Sequence, residues 1–371
     1  MTILIDLTSL YFHLTGIERY AANMTVQMVK RHPEEEYILV FANEIPDMFL
    51  EYQDRENIRM FVLPCGSRLW FNQVRLPRFL HRYKADVYFF PAFCPPWLFR
   101  GSGIVTTIHD MSDFECWQGK QRLKVLYSRL GILHAKGSAQ KILTVSEFSK
   151  GRICSILGID SEKVDVAYNG VFHTKKESST PWEVIRDKYE LPSRYLLSVS
   201  TLEPRKNIKL LIEAFPEIQQ VDDSLHLVLC GRAGWNMKEV LGNRHIENDR
   251  ICITGFIDDE DLPEIYRHAE LFVFPSKYEG FGIPPLEAMA MGCPVISSDA
   301  ASMPEILGDG AIYFQSENGK DLAGVIVESL SMSREERSDR VCKGFRQVEK
   351  YCWEEESEKV YAALIQAAEQ K

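Results

Sequence analysis

Residues 279–287 read EGFGIPPLE, two carboxylates eight positions apart around a Gly-Phe-Gly turn and a Pro-Pro pair. The apolar run Leu271–Phe274 ahead of them has the length and composition of a buried strand. Pro284 and Pro285 suit the first positions of a helix, where a missing N–H costs nothing. Leu286 to Met291 continue as good helix formers until Gly292 stops them. The unit is therefore strand, glycine loop, helix. Gly280 and Gly282, on either side of Phe281, let the backbone come close to a ligand, and free N–H groups at the helix start attract phosphate. Glu279 in the loop and Glu287 in the first helical turn would lie near the same molecule. A carboxylate repels phosphate, so these two are suited to accepting hydrogen bonds from hydroxyls. Phosphate beside several hydroxyls describes a nucleotide that carries a sugar. The plainer alternative is a capped loop, in which Glu287 only favours the helix N-terminus by about 0.3–1 kcal/mol.

A basic pair upstream tips the balance. Arg205 and Lys206 follow the strand-like run Tyr195–Val199 and precede a helix that begins near Asn207. Ligands in open α/β sheets bind beyond the carboxyl ends of the strands, which is where both cations fall. Arginine offers a planar fork and lysine a point charge, a pair suited to a pyrophosphate. Gly16 opens the first helical pattern and its amide can meet a phosphate, although Glu18 sets a negative charge nearby. His109 ends the strand Ile104–Ile108 at the ligand edge of its sheet. Phe256, just past the run Ile251–Thr254, is a candidate apolar contact for a nucleobase, or else a core side chain. Asp258 to Asp261 precede a helix and read as its cap rather than as metal ligands. No required metal is expected.

The elements that must position these residues follow from periodicity. Short apolar runs alternate with longer amphipathic stretches, the pattern of parallel sheets with crossover helices. Strands are expected at Ile3–Leu7, Tyr37–Phe41, Met60–Leu63, Val87–Phe90, Ile104–Ile108, Lys141–Val145 and Val164–Val166. A second series runs Tyr195–Val199, Leu225–Leu229, Ile251–Thr254, Leu271–Phe274, Val295–Ser297 and Ile312–Phe314. Helical patterns lie between, among them Ile17–Arg31, Glu147–Leu157, Asn207–Val221 and Pro263–His268. At 371 residues the chain is too long for one ordinary core. The expected division is 1–172 as a first α/β domain, 173–192 as a polar linker, 193–352 as a second α/β domain, and 353–371 as a final helix.

Several of these stretches, in order, resemble the retaining nucleotide-sugar glycosyltransferases of family four. TGIERY (15–20) is similar to that family's first glycine loop, and TTIHD (106–110) to its active-site histidine segment. TVSEFSKGRI (144–153), VSTLEPRKNIKLLIEAF (199–215), LVLCGRAG (227–234) and ITGFIDDEDLPEIYRHAELFVFPS (253–276) also match, as does the glutamate loop. The resemblance spans about residues 15 to 315 and extends to bacterial mannosyltransferases of surface-polysaccharide synthesis. It implies an α/β fold of two Rossmann-like doubly wound parallel-sheet domains facing a cleft. The first would bind the acceptor and the second the nucleotide sugar, with the last helix crossing back onto the first, anchored by Trp353. It implies that Arg205 and Lys206 hold the donor diphosphate, that Glu279 binds sugar hydroxyls, and that Glu287 binds the ribose. His109 would contact the donor sugar. The LEPRKN variant is associated with GDP-mannose. The acceptor would be a saccharide, free or polyprenyl-linked, and no cofactor beyond the sugar nucleotide is implied. A UDP-sugar transferase, a nucleotide-sugar 2-epimerase and a non-catalytic scaffold are the alternatives, and transfer assays separate them.

The apolar and charged fractions are those of a soluble globular protein, with no run of about 18 apolar residues. The first segment, MTILIDLTSL, lacks a basic n-region and reads as a strand, not a signal peptide. Nine scattered cysteines with no Cys-x-x-Cys pair support neither a zinc ribbon nor a disulfide framework, and the cytoplasm is the expected location. The net charge of −10 hides a cationic stretch, residues 66–152, with 14 basic against 5 acidic side chains. Within it, SRLWFNQVRLPRFLHRYK (67–84) sets Arg68, Arg75, Arg78 and Arg82 among Trp70, Phe71 and Phe79. That composition suits the anionic inner face of a membrane rather than nucleic acid, with ordinary core packing of the aromatics as the alternative. Pro77 predicts a short bent element there.

Overall fold

The computed structural model describes residues 1–10, 16–116, 122–171, 180–232, 234, 240–241 and 248–370. These fall into two units. The first takes in the described residues up to Gly170 together with Cys352 onward, and the second those from Val171 to Tyr351.

Seven strands build the first sheet: β1 (Thr2–Leu7), β2 (Glu36–Ala42), β3 (Ile58–Leu63), β4 (Val87–Phe90), β5 (Ile104–Thr107), β6 (Lys141–Thr144) and β7 (Val164–Val166). Their order is β3-β2-β1-β4-β5-β6-β7, with every pairing parallel. The second sheet holds β8 (Tyr195–Val199), β9 (His226–Cys230), β10 (Ile251–Gly255), β11 (Leu271–Phe274), β12 (Val295–Ser298) and β13 (Ala311–Phe314). It runs β10-β9-β8-β11-β12-β13, again all parallel. Each order reverses direction once, between β1 and β4 and between β8 and β11. That is where a doubly wound sheet opens a crevice at its carboxyl ends.

Strands covered on both faces read as near-continuous apolar runs, and β4 and β11 are apolar and buried along their whole length. Leu4, Val40, Phe90, Ile104 and Ile142 lie in the core of the first unit. Leu196, Leu227, Leu229, Val273 and Ile296 lie in that of the second. Every strand run read from the sequence forms a strand within two residues of its expected bounds.

The helices that matter below are α1 (Gly16–Arg31), α2 (Arg122–Ser138), α3 (Glu147–Leu157), α4 (Ile208–Gln219), α5 (Ile283–Ala290) and α6 (Trp353–Glu369). α3 starts where Ser146 Oγ accepts the Ser149 amide at 3.1 Å and stops at Gly158, whose φ of 60° ends the helix. α6 packs on α1 and against β4, β5 and β6. Trp353 is buried at its start, so close to Gly170 that a Cβ there would come 2.4 Å from the indole. Further along, Tyr361 donates to Glu35 at 2.6 Å and stacks on His32, and Glu358 pairs with Arg31.

Two local expectations change. Of the segment 173–192, residues 173–179 lie outside the described residues, and Trp182–Lys188 is a helix of the second unit rather than linker. Asp261 makes no side-chain cap for the helix Leu262–His268. Instead Asp258 and Asp261 each accept from Lys188 at 2.7 Å, and Asp261 accepts from Tyr189 at 2.9 Å, pinning the preceding helix. A nearby cation in three dimensions has outcompeted the local amide.

Candidate functional site

The loops that leave β8 and β11 meet at the reversal of the second sheet. Arg205 and Lys206 lie in a short 3-10 turn after β8, and Glu279 in the loop after β11. Lys206 Nζ donates to Glu279 Oε1 at 2.6 Å and Arg205 Nη1 to Oε2 at 3.0 Å, so one carboxylate bridges both cations. Ser276 Oγ donates to the same Oε1 at 2.6 Å. Arg205 is fixed from its other side by Glu203 Oε1, 3.0 Å from Nε and 2.9 Å from Nη2, and Nη1 also donates to the Tyr278 carbonyl at 2.7 Å. Backbone bonds tie the loops together: the Lys277 amide donates to the Arg205 carbonyl, and Ser302 Oγ to the Glu279 carbonyl.

Burial alone would raise the Glu279 carboxyl. The charges of Arg205 and Lys206, with hydrogen bonds from Lys206 and Ser276, outweigh it and hold the group at about 2. Burial lowers the Lys206 ammonium below its ordinary value, opposed by Glu279 and helped by Arg205. The sequence reading had the cations facing phosphate and Glu279 facing hydroxyls. Here they face one another, and two carboxylates balance two cations.

The rest of the glutamate loop divides by burial. Gly280 and Phe281 are buried, the latter against Tyr351 with ring centroids 5.3 Å apart, so Phe281 anchors the loop to the core. Gly282 adopts φ 92°, a left-handed turn into α5 that favours glycine. α5 begins at Ile283, so Glu287 is its fifth residue and stands in the second turn, not the first. The macrodipole account of Glu287 loses its geometry there. Its Oε2 accepts from Tyr266 Oη at 3.1 Å instead.

Loops after β8, β9 and β10 join edge to edge. The Leu202 amide donates to the Arg232 carbonyl, the Gly231 amide to the Gly255 carbonyl, and the Gly234 amide to the Leu202 carbonyl. They carry Phe256 to the surface, 41% exposed, with the Arg232 guanidinium 4.7 Å over its ring. Phe256 is therefore not a core side chain.

In the first unit, His109 lies two residues past β5, half-buried. Its Nε2 is 2.8 Å from the Pro91 carbonyl. A carbonyl only accepts, so Nε2 carries the proton and Nδ1 is the acceptor of the neutral ring. Burial lowers its basicity, against the Pro91 bond and the charges of Asp110 and Glu18. Tyr20 of α1 meets the imidazole edge-on, centroids 5.0 Å apart. The start of α1, with Gly16 exposed and Glu18 in its first turn, thus lies near His109. Residues 11–15, the rest of the expected first glycine loop, lie outside the described residues.

The segment 67–84 is mostly structural. It forms Arg68–Trp70 and Leu76–Arg82 as α-helix, joined by a π turn at Phe71–Arg75. Phe71, Leu76, Phe79 and Leu80 belong to the core, while Leu69 and Trp70 are exposed apolar side chains. Arg68 turns inward to the Thr8 carbonyl at 2.6 Å and Arg75 to the Pro64 carbonyl at 2.8 Å, while Arg78 and Arg82 face out. Core packing won because Leu76–Arg82 turns its apolar side inward, where Phe79 meets Phe61 of β3 with ring centroids 5.1 Å apart.

Three site residues escaped sequence reading: Glu203, Ser276 and Tyr266. The first two had a signal, since they stand two and three residues from Arg205 and Glu279 in the same loops. Tyr266 had none, because it comes from a different helix. Among the described residues, no group of three or more His, Cys, Asp or Glu side chains is arranged to hold a metal ion.

Residues 14–175 match the family described as Glycosyltransferase Family 4, and residues 183–345 that described as Glycosyl transferases group 1. The chain is 30% identical to O-antigen chain mannosyltransferase B of Escherichia coli, over 95% of this chain and 97% of that protein. It is 31% identical to O-antigen chain mannosyltransferase RfbU of Salmonella typhimurium, over 60% of each. Among solved structures, sucrose-phosphate synthase from Thermosynechococcus elongatus superposes with a TM-score of 0.74 at 17% identity, over all of both chains. Anabaena Alr3699/HepE in complex with UDP and glucose does so with a TM-score of 0.72 at 18% identity, over 99% of this chain and 100% of that one. These two share the fold.

Proposed function

The chain belongs to the family-four, group 1 glycosyltransferases, and from that premise we propose that it moves mannose from GDP-mannose to a lipid-linked saccharide with retention of anomeric configuration. The observation that carries the reading is the Arg205–Lys206–Glu279 cluster at the sheet reversal, where a doubly wound domain takes its nucleotide. The O-antigen chain mannosyltransferases it resembles support mannose as the sugar and a saccharide as the acceptor.

In this mechanism Arg205 and Lys206 turn part of their N–H capacity to the donor diphosphate. Negative charge grows on the leaving phosphate as the C1–O bond breaks, and fixed cations at that point are the largest catalytic contribution available. Glu279, ionised, exchanges its bonds to the cations for sugar hydroxyls. Glu287, held by Tyr266, accepts from the ribose hydroxyls. Phe256 and Arg232 offer a flat, cationic surface to a base. His109 presents a neutral acceptor to the transferred sugar. With Glu279 engaged by the sugar hydroxyls and Glu203 held on Arg205, attack of the acceptor from the leaving-group side is the economical route to retention. The two cations do the work a divalent metal does elsewhere, and none is required.

Turnover of a panel of sugar nucleotides with a polyprenyl-linked saccharide, read by product NMR, tests this. GDP-mannose should be consumed, the new linkage should keep the donor's anomeric configuration, and EDTA should leave the rate unchanged. Turnover of UDP-sugars alone would overturn the donor assignment, and an inverted linkage the mechanism.

A further inference from the structure

Glu279 stands where an anionic ligand would. Its carboxylate takes one cation on each oxygen, Lys206 on Oε1 at 2.6 Å and Arg205 on Oε2 at 3.0 Å. A diphosphate offers the same pair the same chemistry, oxygens that accept charge-assisted hydrogen bonds. Carboxylate and phosphate therefore compete for the same N–H groups. Arg205 does not follow Glu279 when the two part, because Glu203 Oε1 holds its Nε at 3.0 Å and its Nη2 at 2.9 Å.

The loop gives Glu279 no room to step aside. Its side chain is 9% exposed, and its backbone carbonyl accepts from Ser302 Oγ at 3.0 Å. Two residues earlier the Lys277 amide is tied to the Arg205 carbonyl at 2.9 Å. Two residues later Phe281 is buried against Tyr351. Once a phosphate has taken both cations, the carboxylate keeps the Ser276 hydroxyl, 2.6 Å from Oε1, and stays buried. A buried carboxylate stripped of its cations is strongly unfavourable.

We propose that Glu279 makes the site discriminate a sugar nucleotide from the bare nucleoside diphosphate, and so limits inhibition by the product of transfer. The inference rests on the transferase reading for its two ligands. A bare diphosphate breaks both ion pairs and returns nothing to the carboxylate. A sugar nucleotide breaks them too, but its sugar hydroxyls donate to Glu279 in place of the cations. A site that leaves a buried polar group unpaired against one ligand rejects that ligand, by factors that reach about 10⁴. The same carboxylate thus admits the substrate and hastens departure of the product.

The test is calorimetric titration of the full chain, without acceptor, with GDP against GDP-mannose and UDP against UDP-glucose. In the pair that binds, Glu279→Gln should take the bare diphosphate at least about tenfold more tightly than wild type, since a competing anion has gone. Its affinity for the sugar nucleotide should not rise, because the hydroxyls lose their ionised acceptor. Glu279→Asp keeps the charge on an arm too short to bridge both cations. It should shift the ratio of the two dissociation constants the same way, and it serves if the glutamine variant does not fold. Glu203→Gln removes a carboxylate from the same guanidinium without touching the sugar, and should move both ligands by the same factor. An unmoved ratio in the Glu279 variants overturns the proposal. So does an equal change of ratio in Glu203→Gln, which would make the effect one of net charge. A wild type that binds none of the ligands overturns the transferase reading, and this inference with it.

Discussion

Lys206 Nζ lies 2.6 Å from Glu279 Oε1, and the two residues come from strands on either side of the point where the second sheet reverses its order. Each carries the partner the other would lack if its loop moved. The pair therefore couples the electrostatics of the site to the pairing of β8 with β11.

Glu279 titrates near 2 against an ordinary 4.5, so folding holds it ionised. Its contribution is complete above about pH 4.5 and is lost as the pH falls toward 2, worth about 3 kcal/mol at order of magnitude. Glu279→Gln should lower the unfolding free energy by about that much at neutral pH, with the gap narrowing below pH 4.5. Urea denaturation at several pH values reads this. A gap that stays constant with pH would show the loss to be packing alone.

Lys206→Met should cut turnover of the sugar nucleotide by about 10²–10³, the usual loss when one preorganised charge contact to a transition state goes. Single-turnover rates at saturating donor measure it. A wild-type rate would leave Lys206 as no more than a counter-ion for Glu279.

Glu287→Ala should weaken nucleotide binding by about 1–3 kcal/mol, and Tyr266→Phe, which removes only the bond that orients Glu287, by about 0.5–1.5 kcal/mol. Calorimetric titration with the nucleoside diphosphate ranks the two. Should Tyr266→Phe cost more than Glu287→Ala, the carboxylate is not the group that touches the ribose.

Burial holds His109 neutral below the ordinary imidazole range. The acidic limb of the kcat/KM profile should accordingly fall below that range, and His109→Ala should lower the plateau without leaving a limb at the ordinary value. A limb at the unperturbed histidine value that vanishes in the variant would mean that burial does not lower the basicity of His109.

Gly231 has φ 144°, and a Cβ there would come 1.8 Å from the Ser200 carbonyl, which is backbone and cannot move aside. Gly282 has φ 92°, but its Cβ would meet the flexible end of Met303 at 2.6 Å. Gly231→Ala should fail to fold, whereas Gly282→Ala should fold with a loss of about 1–3 kcal/mol from backbone strain. Melting curves of both, and of Gly282→Ala with Met303→Ala, decide it. Full recovery in the double variant would place the cost in the contact rather than in φ.

Much of the fold was legible because parallel strands buried on both faces must be continuous apolar runs, and these interrupt amphipathic stretches visibly. The glycine loop and Arg205–Lys206 were legible for a related reason: φ above zero and a cation pair at a strand's end are local statements. What was not legible was whom each charge would meet. Glu279 found Arg205 and Lys206, and Asp261 found Lys188, through pairings of segments some 70 residues apart. Nothing in a local window fixes which strand becomes a neighbour.

The sequence by itself determined where the strands and helices lie, which loops carry glycine and charge, and the family to which the chain belongs. Tertiary structure decided which apolar faces are core. Phe71 and Phe79, in the segment expected at a surface, are buried, while Leu123, Leu126, Leu130 and Leu133 are left outside. Both sets are apolar at helical spacing, and the sequence treats them alike. Burial depends on whether another element arrives to cover the face, and for α2 only one of its two apolar faces meets the core.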